Sequence, residues 1–72
     1  EQTNFRGADL SGANLSDARF VRGDLSGANL TGANLRQCDL REANLSGAQV
    51  TDADLTGANL DGANTTGTPL DS

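Results

Sequence analysis

The side chains that could do chemistry in this chain are ten carboxylates and five guanidinium groups, and the sequence has no histidine, lysine, tyrosine or tryptophan. General acid–base catalysis needs a carboxylate whose pKa is shifted by burial or by a close partner. No spacing in the sequence forces two carboxylates together into a water-poor cleft. We therefore predict that the chain is not an enzyme and has no small-molecule substrate.

Metal binding is the next chemistry to consider, because the sequence is rich in Asp and Asn and has one thiol, Cys38. A zinc site would need His or further Cys residues, which the sequence lacks. The EF-hand loop and the nonapeptide calcium repeat are also absent. We interpret Cys38 as a buried structural side chain, and we predict no metal and no cofactor.

A repeat of five residues must position all of these side chains. Every fifth residue is Leu or a close substitute, and a small residue, usually Ala, stands two residues before it. The apolar positions are Phe5, Leu10, Leu15, Phe20, Leu25, Leu30, Leu35, Leu40, Leu45, Val50, Leu55, Leu60, Thr65 and Leu70. So strict and short a period indicates a repeat architecture.

A period of five fits neither a helix nor a flat strand. On an α-helix the leucines would spiral around the axis, and on a strand they would alternate between faces. A bend in each unit removes the conflict, because Ala and Leu can then point inward together while the next two residues turn a corner. The sequence thus predicts an all-β coil with a Leu and Ala core and with stacked turns about 4.8 Å apart.

The corner position, two residues after each apolar one, is Gly in eight of fourteen units. Glycine suits a turn that requires a positive φ. The other corner residues are Asp17, Arg22, Gln37, Glu42, Asp52 and Ser72. Because so many corners lack glycine, we expect that a positive φ is not obligatory there.

Tandem units of the form A-(D/N)-L-(S/T)-G, such as residues 8–12 and 28–32, closely resemble the pentapeptide-repeat proteins. The resemblance runs from Thr3 to Ser72. It implies a right-handed quadrilateral β-helix with four units per coil, here about three and a half coils. It also implies a relation to repeat segments in bacterial, particularly cyanobacterial, proteins.

The ends of such a coil need cover. Phe5 and Phe20 are expected to fill part of the first coil, while Pro69 makes the last repeat, 68–72, degenerate. We interpret residues 1–72 as a single repeat domain and favour its being a piece of a larger protein; end-to-end association into a homo-oligomer stays open in either case. No signal or membrane segment is present in these residues, so we expect no membrane partner and favour the cytoplasm.

If residues twenty apart stack, one face carries more charged side chains than the others. This charged face comprises Arg19, Val21, Arg22, Asp39, Arg41, Glu42 and Asp61. We expect three ion pairs between neighbouring coils: Arg19–Asp39, Arg22–Glu42 and Arg41–Asp61. Two interpretations stay open, a set of ion pairs that fixes the register and a docking surface for a protein partner.

The leading functional hypothesis is a non-catalytic scaffold or protein-interaction module with an unidentified partner. A subset of the resembling family implies the alternative, an acidic DNA mimic that binds DNA gyrase or topoisomerase. A net charge of −5 and a rod shape favour it, whereas the scattered acidic residues and the arginines oppose it. A third hypothesis is an ice- or surface-binding face, suggested by two rows of hydroxyl side chains: Ser11, Thr31 and Thr51, and Ser26, Ser46 and Thr66. The negative charge argues against direct nucleic-acid binding.

Overall fold

A computed structural model of the chain describes residues 3–70. In this range there is no helix and no extended strand, and single bridge residues alternate with two-residue turns every five positions. Each bridge is parallel and joins residues twenty apart. The nine bridges are Asn4–Asp24, Asp9–Asn29, Asn14–Asn34, Arg19–Asp39, Asp24–Asn44, Asn29–Gln49, Asn34–Asp54, Asp39–Asn59 and Asn44–Asn64. Four units therefore separate one stacked position from the next.

Three backbone hydrogen bonds per unit hold the stacked coils together. In the unit of Leu30, the N–H groups of Leu30 and Gly32 donate to the carbonyls of Gln49 and Thr51 in the next coil, at 2.7 and 2.8 Å. The N–H of Asn29 donates in the other direction, to Ala8 in the previous coil, at 2.8 Å. The backbone groups are thus paired as in a parallel sheet, although each stretch between corners is very short.

The corners are tight turns closed by the small residue of the following unit. The N–H of Ala33 donates to the carbonyl of Leu30 at 3.0 Å, and Gly32 between them has a φ of 68°. A positive φ at the third of four residues is the pattern of a type II turn.

The expectation that a positive φ is not obligatory at the corner was wrong for the five non-glycine corners in the described range. Asp17, Arg22, Gln37, Glu42 and Asp52 all have φ between 58° and 65°. The physical reason is that the turn closes in the same way whichever residue stands at the corner. Ser72 lies outside the described residues.

The apolar residues form one column inside the coil, as predicted. Its buried members are Phe20, Leu25, Ala28, Leu30, Ala33, Leu35, Cys38, Leu40, Ala43, Leu45, Ala48 and Val50. Leu10, Leu15, Leu55 and Leu60 at the two ends are only partly buried. Burial is therefore most complete in the middle of the stack, where a coil covers each side.

Two aromatic rings pack against each other in the first coil. The ring centroids of Phe5 and Phe20 are 5.7 Å apart and the rings meet edge to face at 82°. This is a favoured arrangement of aromatic quadrupoles. Phe20 is buried and Phe5 is half-buried, so the pair covers part of the apolar column in the first coil.

The pattern changes at residues 68–70. The Thr68 hydroxyl donates to the carbonyl of Thr65 at 2.7 Å and accepts from the N–H of Leu70 at 3.2 Å. Within the described range, the bridge column of Asp9, Asn29 and Gln49 does not continue to Pro69, because Pro has no N–H to donate. The stack of coils in this chain measures 24 × 24 × 23 Å, so it is as wide as it is tall.

Candidate interaction face

The backbone brings the residues of the charged face together. Arg19 bridges to Asp39, the N–H of Arg22 donates to the carbonyl of Arg41, and the N–H of Glu42 donates to that of Asp61. Val21 and Asp39 are half-buried, and the other five are exposed. The seven residues thus occupy stacked positions on one side of the coil.

Of the three expected ion pairs between coils, one forms. The guanidinium of Arg22 lies 3.4 Å from the carboxylate of Glu42. The Arg19–Asp39 and Arg41–Asp61 pairs were predicted wrongly, since neither is within ion-pair distance although all four residues are described. Arg41 instead binds Asp39 in its own coil, with Nε and Nη2 each 2.8 Å from a carboxylate oxygen.

The reason lies in the spacing of the two residues. Arg41 follows Asp39 by two positions, so the guanidinium can fold back and meet both oxygens in the two-point geometry that Arg favours. Hydrogen bonds from Arg41 hold the pKa of Asp39 below its usual value, and the charge of Arg19 lowers it further through space. The same contact raises the pKa of Arg41.

Two further ion pairs run diagonally between coils and were not predicted. Arg6 lies 3.7 Å from Asp24, and Arg36 lies 3.8 Å from Asp54. Each arginine directly follows an apolar residue, and its partner stands eighteen positions later, before the apolar residue of the next coil. The sequence does contain a sign of these two pairs. Two positions before Arg6 and Arg36 stands an Asn, whereas an Asp stands two positions before Arg41. Arg6 and Arg36 therefore have no carboxylate in their own unit and pair with one in the next coil.

On the other faces, an Asp or Asn that stands before a Leu accepts a hydrogen bond from the backbone N–H two residues later. Asp9 Oδ1 accepts from the N–H of Ser11 at 3.2 Å and from its hydroxyl at 2.7 Å. Asn29 Oδ1 accepts from the N–H and hydroxyl of Thr31 at 3.1 and 2.6 Å. These short side chains stabilise the entry to the turn, as Asx residues commonly do.

The same hydrogen bonds lower the pKa of three of the aspartates. The hydroxyl of Ser11 lowers the pKa of Asp9, with a further contribution from its N–H. Ser26 lowers the pKa of Asp24 and Thr56 lowers that of Asp54 in the same way. A general acid at neutral pH needs a raised pKa, so these groups are shifted in the opposite direction.

Cys38 occupies the small inward position, as predicted, with 1% of its surface exposed. Its thiol donates to the carbonyl of Leu15, 2.8 Å from Sγ, and burial raises its pKa. A buried thiol with a raised pKa is a poor nucleophile and a poor metal ligand. In the part of the chain that the structure describes, no three acidic or thiol side chains are grouped so that they could hold a metal ion.

None of the described residues belongs to a helix of the length and hydrophobicity that a membrane span needs. No curated protein matches the sequence of this chain.

Solved structures with the same fold include several repeat proteins. A pentapeptide repeat protein from the thylakoid lumen of Arabidopsis thaliana matches with a TM-score of 0.73 and 30% identity, over 96% of this chain and 61% of that one. HetL from Nostoc, a protein involved in heterocyst differentiation regulation, matches at 0.57 and 32%, over 96% of this chain and 38% of HetL. QnrB1, a fluoroquinolone resistance protein, matches at 0.50 and 22%, over 81% of this chain and 35% of QnrB1. The chain thus spans less than two thirds of each of these proteins.

The family model described as pentapeptide repeats (8 copies) matches this chain twice, over residues 1–27 and 24–57. That span covers most of the sequence, and it agrees with the five-residue turns and the twenty-residue bridge register. The chain belongs to the pentapeptide repeat family.

Proposed function

We propose that this chain is a non-catalytic protein-interaction module, a right-handed quadrilateral β-helix of about three and a half coils whose flat faces hold side chains at fixed spacing. The observation that carries the proposal is the unbroken register of nine bridges, each across twenty residues. In such a stack a side chain on a face keeps its place relative to the coils above and below. Rigid presentation lowers the entropy lost on binding a partner.

The charged face is the surface we assign to the partner. Arg19 and Asp61 have no ion-pair partner within 4 Å among the described residues, so their charges are available to another protein. Val21, half-buried beside them, adds an apolar contact. The remaining charges on this face pair with one another and hold its shape.

The test places a photo-crosslinking amino acid at position 21, and the matched control carries it at position 31, which lies outside the charged face and is also half-buried. We expect a protein adduct from position 21 and none from position 31. The purified partner should then bind Arg19→Ala more weakly than the unchanged chain, while Arg36→Ala should bind as before. Equal amounts of adduct from both positions, or unchanged binding of the partner to Arg19→Ala, would contradict the proposal. The charged face would then have only a structural role.

The DNA-mimic hypothesis is the second candidate, favoured by the net charge of −5. The likeness to QnrB1 supports only the fold at 22% identity. Against mimicry, the acidic side chains do not follow one stripe, since Asp9, Asp24 and Asp54 belong to three different bridge columns. A gyrase supercoiling assay decides the question, because no inhibition at high micromolar concentration eliminates this role.

Surface binding to ice is the weakest candidate. The row of Ser11, Thr31 and Thr51 is regular, but the hydroxyls of Ser11 and Thr31 already donate to side chains of their own units, at 2.7 and 2.6 Å. Their protons are therefore engaged within the protein. Thermal hysteresis of a concentrated solution would support this role, and its absence would exclude it.

A further inference from the structure

The charged face carries no net charge, although the chain as a whole is acidic. Its three arginines are balanced by three acidic residues, and the six are Arg19, Arg22, Arg41, Asp39, Glu42 and Asp61. The net charge of −5 therefore arises entirely outside this face. Two copies of the chain that meet through their charged faces bring no surplus of like charge together.

The charges on this face are separated along the stack. In the first coil the face has two arginines and no carboxylate, and in the third coil it has Asp61 and no arginine. Arg19 and Asp61 are both exposed, and neither has an ion-pair partner among the described residues. Two unpaired charges of opposite sign thus lie two coils apart on one face, about 10 Å along the stack.

The corners beside this face carry side chains at a cost to the backbone. Four of the five non-glycine corners with a positive φ stand at its two borders: Asp17, Arg22, Gln37 and Glu42. The left-handed conformation is costly for residues other than glycine. The ion pair of Arg22 and Glu42 joins side chains that are 55% and 61% exposed, so it offsets little of that cost. Strain of this kind supports a role for the corner side chains in contact with another molecule.

We propose that the charged face binds the charged face of a second copy of this chain, related to the first by a two-fold axis that crosses the middle coil. Arg19 of each copy then lies against Asp61 of the other, so this pair of opposite charges occurs twice in the dimer. The inference rests on the proposed function, because it names the partner of the same face. A two-fold contact uses the same surface on both copies, and association therefore closes at the dimer.

The contact is small, so the dimer should be weak. The three rows of the charged face span about 10 Å along the stack, and the chain is 24 Å across. Such a face buries well under the roughly 800 Å² per partner of a standard interface. We therefore expect a dissociation constant between about 100 μM and 1 mM at low salt.

Sedimentation equilibrium of the purified chain, from about 10 μM to about 3 mM, tests the proposal. We expect the average mass to rise toward that of the dimer with concentration. The mass should fall again when added salt screens the charges. A chain that stays monomeric over this range, or a mass that grows past the dimer, would overturn the proposal.

Charge reversal at the two unpaired residues tests the arrangement. Arg19→Asp and Asp61→Arg each replace an attraction by a repulsion twice in every dimer, so each variant should dimerise at least roughly tenfold more weakly. The double variant Arg19→Asp/Asp61→Arg restores opposite charges and should regain the affinity of the unchanged chain. If it melts like the unchanged chain but dimerises no better than the single variants, the two-fold arrangement is wrong.

Arg36→Asp is the matched control, because it lies outside the charged face and changes the net charge by as much as Arg19→Asp does. It should dimerise nearly as well as the unchanged chain. A loss of affinity as large as that of Arg19→Asp would mean that overall repulsion, and not the charged face, governs association, and would contradict the proposal.

The photo-crosslinking amino acid at position 21 separates this inference from the proposed function. In the purified chain, position 21 should give a covalent product of twice the mass of the chain, and position 31 should give none. If position 21 yields no such product but forms an adduct with a different protein in the cell, the second copy is not the partner and the proposed function stands. The absence of any adduct in both settings would contradict both.

Discussion

The guanidinium of Arg41 donates a hydrogen bond to each carboxylate oxygen of Asp39, both at 2.8 Å, and the two residues belong to the same coil. Arg41 stacks near Asp61 of the next coil, but it does not pair with it. The shortest ion pair on the charged face therefore lies within a coil, and among the described residues of this face only the Arg22–Glu42 ion pair, at 3.4 Å, joins side chains of neighbouring coils.

The pKa of Asp39 should report this choice of partner. In Arg41→Gln, we expect the Asp39 pKa to rise toward 3.8, its ordinary value, because the hydrogen bonds from the guanidinium are the largest cause of its lowering. Carboxyl titration by NMR measures it. Arg19→Gln should cause a smaller rise and Asp61→Asn none, so a shift in Asp61→Asn as large as that in Arg41→Gln would contradict the pairing.

The molecule should lose stability in acid. Asp9, Asp24 and Asp54 have pKa values lowered in the folded state by neighbouring hydroxyl and N–H groups. A lowered folded pKa gives a contribution that is complete above the unfolded value, near 3.8, and is lost as the pH falls through the folded value. The free energy of unfolding should thus decline as the pH falls from about 5 toward 2.

Asp9→Asn is the matched control for this pH dependence. Asn14 makes the same bonds to Ser16 as Asp9 makes to Ser11, so the turn should be kept while the titrating group is removed. We expect a shallower acid limb in chemical denaturation of Asp9→Asn. An unchanged limb would mean that the hydroxyl bonds do not set the pKa of Asp9.

Substitutions at two corner positions should change the stability of the protein in opposite directions. Gly32 has a φ of 68° and open space around its missing Cβ, so Gly32→Ala should cost about 1 kcal/mol from backbone conformation alone. Asp52 stacks on Gly32 and has a φ of 59°. Asp52→Gly should raise the free energy of unfolding by about 0.5 kcal/mol, because the relief of backbone strain exceeds the additional conformational entropy that glycine loses on folding. Urea denaturation measures both.

Gly32→Asn separates backbone strain from side-chain bulk. Asn accepts a left-handed φ more readily than Ala does, so the larger residue should cost less. If Gly32→Asn lowers the free energy of unfolding more than Gly32→Ala does, then the size of the side chain, and not φ, determines which residues the corner tolerates.

The inward column should tolerate no charge. Leu35 is 1% exposed, so Leu35→Lys should prevent folding, because an unpaired buried ammonium costs more than a small domain can supply. Leu35→Ala should cost about 2–5 kcal/mol. Arg36→Ala, one residue away and exposed, should melt close to the unchanged chain by circular dichroism. Equal tolerance of Leu35→Lys and Arg36→Ala would refute the inward assignment.

Most of the fold could be predicted from the five-residue period of the sequence. It predicted the burial of Leu35 and the inward position of Cys38, because only a bend in each unit can place every fifth residue inside. The coil length of four units came from the family resemblance, since the period alone does not fix how many sides close a coil. The bridge from Asn14 to Asn34 agrees with it.

Two features were beyond sequence reasoning for physical reasons. The φ of 58° at Arg22 is imposed by the turn that the rest of the coil requires, and this overrides the residue's own preference. The partner of Arg41 depends on how a long side chain chooses between Asp39, two residues earlier in its own coil, and Asp61, at the stacked position of the next coil. Stacking positions follow from the repeat, but the side-chain torsions that select a partner do not.

The twenty-residue register also determines which insertions the molecule can absorb. One extra five-residue unit after Arg22 would leave every Leu inside, yet it would turn all later residues by one side of the coil and carry Arg41 and Glu42 away from Arg22. Four extra units would lengthen the stack and keep each side intact. Duplications of a whole coil therefore preserve a binding surface. The insertion of a single five-residue unit instead changes which side chains share a face, while the apolar core stays intact.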